Sequence, residues 1–126
     1  MKEIIIPEGA AKPLAPYSPA IRLGNHLVFT SGQLGIDPAI GKLLDGIEAQ
    51  THQAIKNLKA VLEAAGADLG TVVKTTVFMA DMDDYGVVNT IYGEYFSADP
   101  PARSAVQVAR LPIDALVEIE AIAHVK

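Results

Sequence analysis

Val117-Glu118-Ile119-Glu120-Ala121-Ile122-Ala123-His124-Val125 alternates residue by residue, the period of a β-strand whose successive side chains point to opposite faces of a sheet. Val117, Ile119, Ala121, Ala123 and Val125 form one apolar face, while Leu116, Glu118, Glu120, Ile122 and His124 form the other. The first face calls for a cover of helices. The second mixes carboxylates with leucine and isoleucine. Thr71 to Ala80, rich in β-branched residues, reads as a central strand and is apolar on both sides as well, with Val72 and Phe78 opposite Val73, Val77 and Met79. Two strands that are apolar on both faces belong to a sheet that is covered on both sides.

The helices that cover one side are legible. From Ile47 the positions Ile47, Thr51, Ala54, Ile55, Leu58, Val61, Leu62 and Ala65 recur at threes and fours, and Gly66 stands where a C-terminal cap belongs. Asp81, with Asp84 three residues on, marks the start of a second helix running to about Phe96. It carries Tyr85, Val88, Ile91, Tyr92 and Tyr95 towards the sheet, and Pro100-Pro101 stops it. Two helices cover only one side, so the other side is expected to be buried by identical neighbours in a homo-oligomer. The competing reading is a monomer whose second face is merely mixed.

The remaining chain supplies strands and turns. Residues 3–6 read as a short strand and Pro7 to Pro19, with prolines at 13 and 16, as an extended loop. Residues 20–23 and 26–36 form a hairpin about Gly24-Asn25, followed by a turn over Asp37 to Gly41. Ser31-Gly32 falls inside the second run, where a glycine signals a bulge or the close approach of a ligand. Residues 102–110 and 115–125 are the last two strands, separated by Leu111-Pro112-Ile113-Asp114.

Composition excludes several classes of function. The chain has 126 residues, half of them hydrophobic, with no repeat or linker, and reads as a single domain over 1–126. No apolar run is long enough to span a bilayer, and the N-terminus lacks the apolar core of a signal peptide. A cytoplasmic or organelle-matrix location and no membrane partner are expected. There is no cysteine, hence no disulfide, thiolate nucleophile or zinc knuckle. His26, His52 and His124 fall on separate elements without ligand spacing, so no metal is expected. A net charge of -5 offers no basic stripe for phosphates, against general nucleic-acid binding. A small anion needs only one local cation.

Arg103 is the candidate for that cation. Strand alternation sets Arg103, Ala105 and Gln107 on one face and Ser104, Val106 and Val108 on the other. The guanidinium thus has small or polar neighbours and room for a carboxylate, which its planar fork binds with two parallel hydrogen bonds. The bland alternative is a salt bridge to Glu118 or Glu120 on the neighbouring strand. A glutamate held near a pocket can position water or move a proton, with a pKa set by burial against nearby charge.

Six segments in order, Ala15-Pro16-Tyr17-Ser18-Pro19-Ala20, Thr30-Ser31-Gly32-Gln33, Val73-Lys74-Thr75-Thr76-Val77, Val88-Asn89, Pro101-Ala102-Arg103-Ser104 and Val117-Glu118-Ile119-Glu120-Ala121, together resemble the Rid (YjgF) family of enamine and imine deaminases, and within it the RidA subfamily. The resemblance covers nearly the whole chain. It implies a chorismate-mutase-like α+β fold, a mixed β-sheet with two helices packed on one face, and a homotrimer with ligand sites in the clefts between subunits. It also implies that Arg103 binds the substrate carboxylate and that Glu118 orients or activates water. Tyr17, Ser31, Gly32 and Asn89 would line the cleft, and backbone groups near Ala105 and Ser31-Gly32 would anchor the amino end. On the residues alone the preferred readings are structural, with Tyr17 plugging its loop, Ser31-Gly32 a plain bulge and Asn89 tying the second helix to a loop, and Tyr92 reads as packing.

The implied reaction is hydrolysis of short enamines or imines, such as 2-aminoacrylate, to 2-oxo acids and ammonia, without a cofactor. A non-catalytic trimeric protein that binds small carboxylates or metabolites and regulates a partner is the alternative. Ribonuclease activity, attached to relatives in this family, fits an acidic chain without a histidine pair or basic groove poorly. Ala105 stands where RidA proteins often carry cysteine, Pro19 where a polar residue is frequent, and Ala15 where glycine is frequent. These departures bear on substrate preference.

Overall fold

The alternation of the last strand is realised as a sheet with its helices on one side. The structure is a computed structural model describing residues 1–9, 13 and 15–126. Residues 10–12 and 14 of the expected Pro7–Pro19 loop lie outside the described residues.

The strands are β1 (Lys2–Ile5), β2 (Ala20–Leu23), β3 (Leu27–Thr30), β4 (Gln33–Leu34), β5 (Ile36–Asp37), β6 (Lys42–Leu43), β7 (Val72–Met79), β8 (Ala102–Gln107) and β9 (Val117–His124). The helices are α1 (Ile47–Ala64) and α2 (Tyr85–Tyr95). The main sheet runs β1-β2-β3-β9-β7-β8, with β4 continuing the path of β3 alongside β9. Among the described residues only β7 and β8 pair in parallel, because α2 carries the chain across the sheet between them. The fold is therefore mixed α+β, two helices against a mixed sheet.

Strand order corrects one expectation. β8 and β9 are consecutive in sequence but not neighbours: β7 lies between them, parallel to β8 and antiparallel to β9. Alternation leaves the neighbouring strand unspecified. It also fails at the start of β7, where a register shift between Val72 and Lys74 puts Val72 on the buried side beside Ala123 and leaves Val73 exposed, against the expected grouping of Val72 with Phe78 and of Val73 with Val77 and Met79. The strands are also shorter than expected, β8 ending at Gln107 and β9 starting at Val117.

Two other expectations are refined. The run 26–36 breaks into β3, β4 and the start of β5, the second break falling at Gly35, where a Cβ would lie 2.5 Å from Gln50 Cα as α1 crosses the chain. α2 begins at Tyr85, because Asp81 caps a short 3-10 turn, Met82–Asp84, by accepting from Asp83 N at 2.8 Å.

The core lies between helices and sheet. Val117, Ile119, Ala121 and Ala123 of β9 and Val77 and Met79 of β7 are buried against Ala54, Ile55, Leu58 and Leu62 of α1 and Val88, Ile91 and Tyr92 of α2. Each fully buried leucine or isoleucine is worth about 1.5–3 kcal/mol of burial. The Thr75 and Tyr92 hydroxyls, 2.7 Å apart, satisfy each other inside this layer. The opposite face carries Ile4, Leu23, Phe29 and Val106, all exposed, in register with Ile122 and Phe78. An apolar sheet face without a cover is the surface expected of an assembling chain.

Candidate functional site

The expected site residues fall into two groups on opposite faces of the sheet. Arg103 of β8 pairs with Thr75, which pairs with the buried Ala121, so the guanidinium stands on the helix side. Glu118 pairs with Phe78, opposite Val106, and stands on the uncovered side. At about 4.8 Å between strands and 3.3 Å per residue, two strands and three residues separate their Cα atoms by roughly 14 Å. The side chains then diverge.

Arg103 has no carboxylate partner among the described residues, and neither Glu118 nor Glu120 bridges to it. Instead Nη2 donates to the Tyr85 hydroxyl at 3.0 Å, and Cζ lies 4.8 Å from the Tyr92 ring centroid and 5.6 Å from that of Tyr85. Tyr85 and Tyr92 are seven residues apart on one stripe of α2, and Asn89 lies between them on the same stripe. Its Oδ1 is buried without a hydrogen-bond partner among the described residues. Ala105, two residues along β8, shares the helix side and packs against the core. Burial raises the pKa of Tyr92, offset in part by the bond to Thr75 and the charge of Arg103. Tyr92 therefore packs, as its spacing indicates, and also forms the floor beneath the guanidinium. The Tyr85 contact was not read from the sequence, where its spacing only pointed it at the sheet.

The second group lines an open groove of about 1260 Å³ that includes Tyr17, Ser31, Gly32, Glu118 and Ile113. Gly32 explains the break in the strand run: a Cβ there would lie 2.6 Å from the Glu118 carboxyl carbon. The close approach that its glycine signals is thus made by the protein's own glutamate. Ser31 Oγ donates to Ser18 O at 2.5 Å and Ser31 N to Pro19 O at 2.9 Å, so the serine fixes the incoming loop against β3. Tyr17 leans over the groove from that loop, more than half exposed. Burial raises the Glu118 pKa above its ordinary 4.5, and the charge of Glu120 on the same face raises it further.

Among the described residues no three His, Asp or Glu side chains are grouped to hold a metal ion, and no helix is long and apolar enough to cross a membrane.

Two helices over one side of a mixed sheet, an arginine without a carboxylate partner among the described residues and, in a separate groove, a glutamate with a raised pKa are what the fold sets out. The chain belongs to the family described as Endoribonuclease L-PSP, the YjgF/Rid family, whose model matches residues 8–125. It is 53% identical to a RutC family protein of Pyrococcus horikoshii over 98% of both chains. It is 47% identical to the 2-iminobutanoate/2-iminopropanoate deaminase of Mus musculus over 98% of this chain and 91% of that one. Among solved structures, E. coli TdcF with bound serine matches with a TM-score of 0.93 at 40% identity, over 99% of this chain and all of the other.

Proposed function

We propose that residues 1–126 act as one Rid domain that hydrolyses short 2-imino acids and their enamine tautomers, such as 2-aminoacrylate, to 2-oxo acids and ammonia. The observation that carries this reading is the Arg103 fork, which stands without a carboxylate partner among the described residues. Arg103 takes the substrate carboxylate in two parallel hydrogen bonds. The enamine first takes a proton at C3 to become the imine; water held by Glu118 then attacks C2 while the Glu118 carboxylate takes one water proton and passes it to nitrogen, giving a 2-amino-2-hydroxy acid. Glu118 next takes the hydroxyl proton and delivers it to nitrogen as the C–N bond breaks, so that C2 becomes the carbonyl and ammonia leaves. C2 keeps its oxidation level, so the step needs no electron sink.

The reading requires more than one copy of the chain. Carboxylate and imine carbons are bonded neighbours, whereas Arg103 and Glu118 of one protomer point away from each other across the sheet. A cleft that holds both takes Arg103 from one protomer and Glu118, with Tyr17, Ser31 and Gly32, from its partner. The exposed apolar sheet face supports a homotrimer with such clefts at its seams. Asn89 and backbone groups near Ala105 complete the arginine side, and the orphan Asn89 Oδ1 accepts from the substrate or the partner.

The test is release of 2-oxobutanoate and pyruvate when the protein is added to a pyridoxal-phosphate-dependent dehydratase with threonine or serine. Acceleration over the uncatalysed hydrolysis is expected; tight 2-oxo acid binding without acceleration would leave only a binding protein. RNA cleavage that persists in Arg103→Ala would belong to another site or a contaminant.

A pH prediction follows from Glu118. It accepts a proton only when ionised, so turnover falls as pH drops through its pKa, which burial and the charge of Glu120 raise. Glu120→Gln removes the second cause of that rise. The acid limb is expected to move to lower pH in a kcat profile, and an unchanged limb would detach Glu118 from the titration.

A further inference from the structure

We infer that Tyr85 is a positioning residue for Arg103, holding the guanidinium in the orientation that receives a carboxylate; the inference rests on the role proposed above for Arg103. Arg103 lies on an edge strand, half-buried, with three aliphatic carbons to swing on. A free arginine there samples many rotamers, and ordering it on substrate binding costs entropy. Two contacts remove that freedom beforehand. Tyr92, buried and bonded to Thr75, supplies a fixed aromatic floor 4.8 Å beneath Cζ. Tyr85, at the first residue of α2, supplies a second ring at 5.6 Å and an oxygen that accepts from Nη2 at 3.0 Å.

The chemistry of the restraint matters as much as its geometry. A guanidinium has five N–H donors, and the Tyr85 bond uses one. A carboxylate needs two of those left. A glutamate in place of Tyr85 would fix the fork as well but would compete with the substrate by neutralising it. A phenol and two aromatic faces hold the cation while leaving its charge uncancelled. Tyr85 is 39% exposed, so its hydroxyl is not demanded by burial, and among the described residues its side chain bonds to no element but β8.

The experiment compares wild type, Tyr85→Phe, Tyr85→Leu and Arg103→Ala in the dehydratase-coupled assay, with 2-oxobutanoate binding measured by calorimetry and Tm by thermal melting. Tyr85→Phe keeps a ring and loses the oxygen; KM and the 2-oxobutanoate Kd are expected to rise about five- to tenfold with kcat within about twofold. Tyr85→Leu loses both contacts and is expected to raise them by about thirtyfold or more, so that phenylalanine partly rescues leucine. A merely structural role would lower Tm and kcat together and leave KM alone, which overturns the inference. Unchanged KM and Kd in both tyrosine variants, with Arg103→Ala still losing binding, also overturn it and spare the proposed role of Arg103. If Arg103→Ala binds 2-oxobutanoate like wild type, that role fails first and the Tyr85 inference falls with it.

Discussion

Arg103→Ala is expected to lower kcat/KM for short 2-imino acids by about a thousandfold, because a charge-assisted, bidentate anchor on a partly desolvated carboxylate is worth several kcal/mol. The loss has two parts. Without the fork the substrate binds weakly, and what binds no longer presents its imine carbon to the water, so orientation is lost along with affinity. The fold should survive: the side chain makes one bond to Tyr85 and lies over two rings, on an edge strand outside the main core. Removing those contacts costs about 1 kcal/mol, a shift of a few degrees in Tm for a domain of this size. Coupled release of 2-oxo acid, calorimetric titration with 2-oxobutanoate and a thermal melt separate the two effects. Arg103→Lys sharpens the result, since it keeps the charge and loses the fork; a loss of about tenfold to a hundredfold is expected. Full turnover in Arg103→Ala would end the proposal.

How far this site was legible in the sequence depends on which geometric fact each residue encodes. Alternation placed Val117, Ile119, Ala121 and Ala123 inward and Glu118 and Glu120 outward, and the structure keeps that division. The three-and-four spacing of α1 was equally direct, since a period of 3.6 belongs to no other element. Gly32 carried a true signal of close approach, and the neighbour within the chain that leaves no room for a Cβ is Glu118. What escaped was the order of strands. β8 and β9 read as neighbours because they are consecutive, yet α2 sends β8 to the far side of β7. Periodicity holds no information on that point, and the error concealed that Arg103 and Glu118 face away from each other. The role of Tyr85 escaped for a related reason. It depends on where α2 starts, and Asp81 capping a 3-10 turn moves that start to Tyr85 itself.

Opposite faces make the second large effect a test of assembly as well as chemistry. Glu118→Gln keeps the shape of the side chain and removes its basicity, so kcat is expected to fall by about a hundredfold to a thousandfold while 2-oxobutanoate still binds. The glutamine fits the space that Gly32 leaves, so Tm should hold, and relief of a carboxylate crowded by burial and by Glu120 favours the folded state slightly above pH 4.5. The sign is fixed by the raised pKa: the ionised form is the one the fold disfavours, and the variant has none. Now let Arg103→Ala and Glu118→Gln subunits be unfolded together and refolded as mixed assemblies. Each alone is nearly inactive. In a closed ring whose sites take the arginine from one protomer and the glutamate from the next, a working site needs an intact arginine from a Glu118→Gln subunit beside an intact glutamate from an Arg103→Ala subunit. Random equal mixing supplies that pairing at about one quarter of the sites, so about one quarter of wild-type activity should return. If both residues served one site within a single chain, every subunit would still lack one of them and mixing would restore nothing.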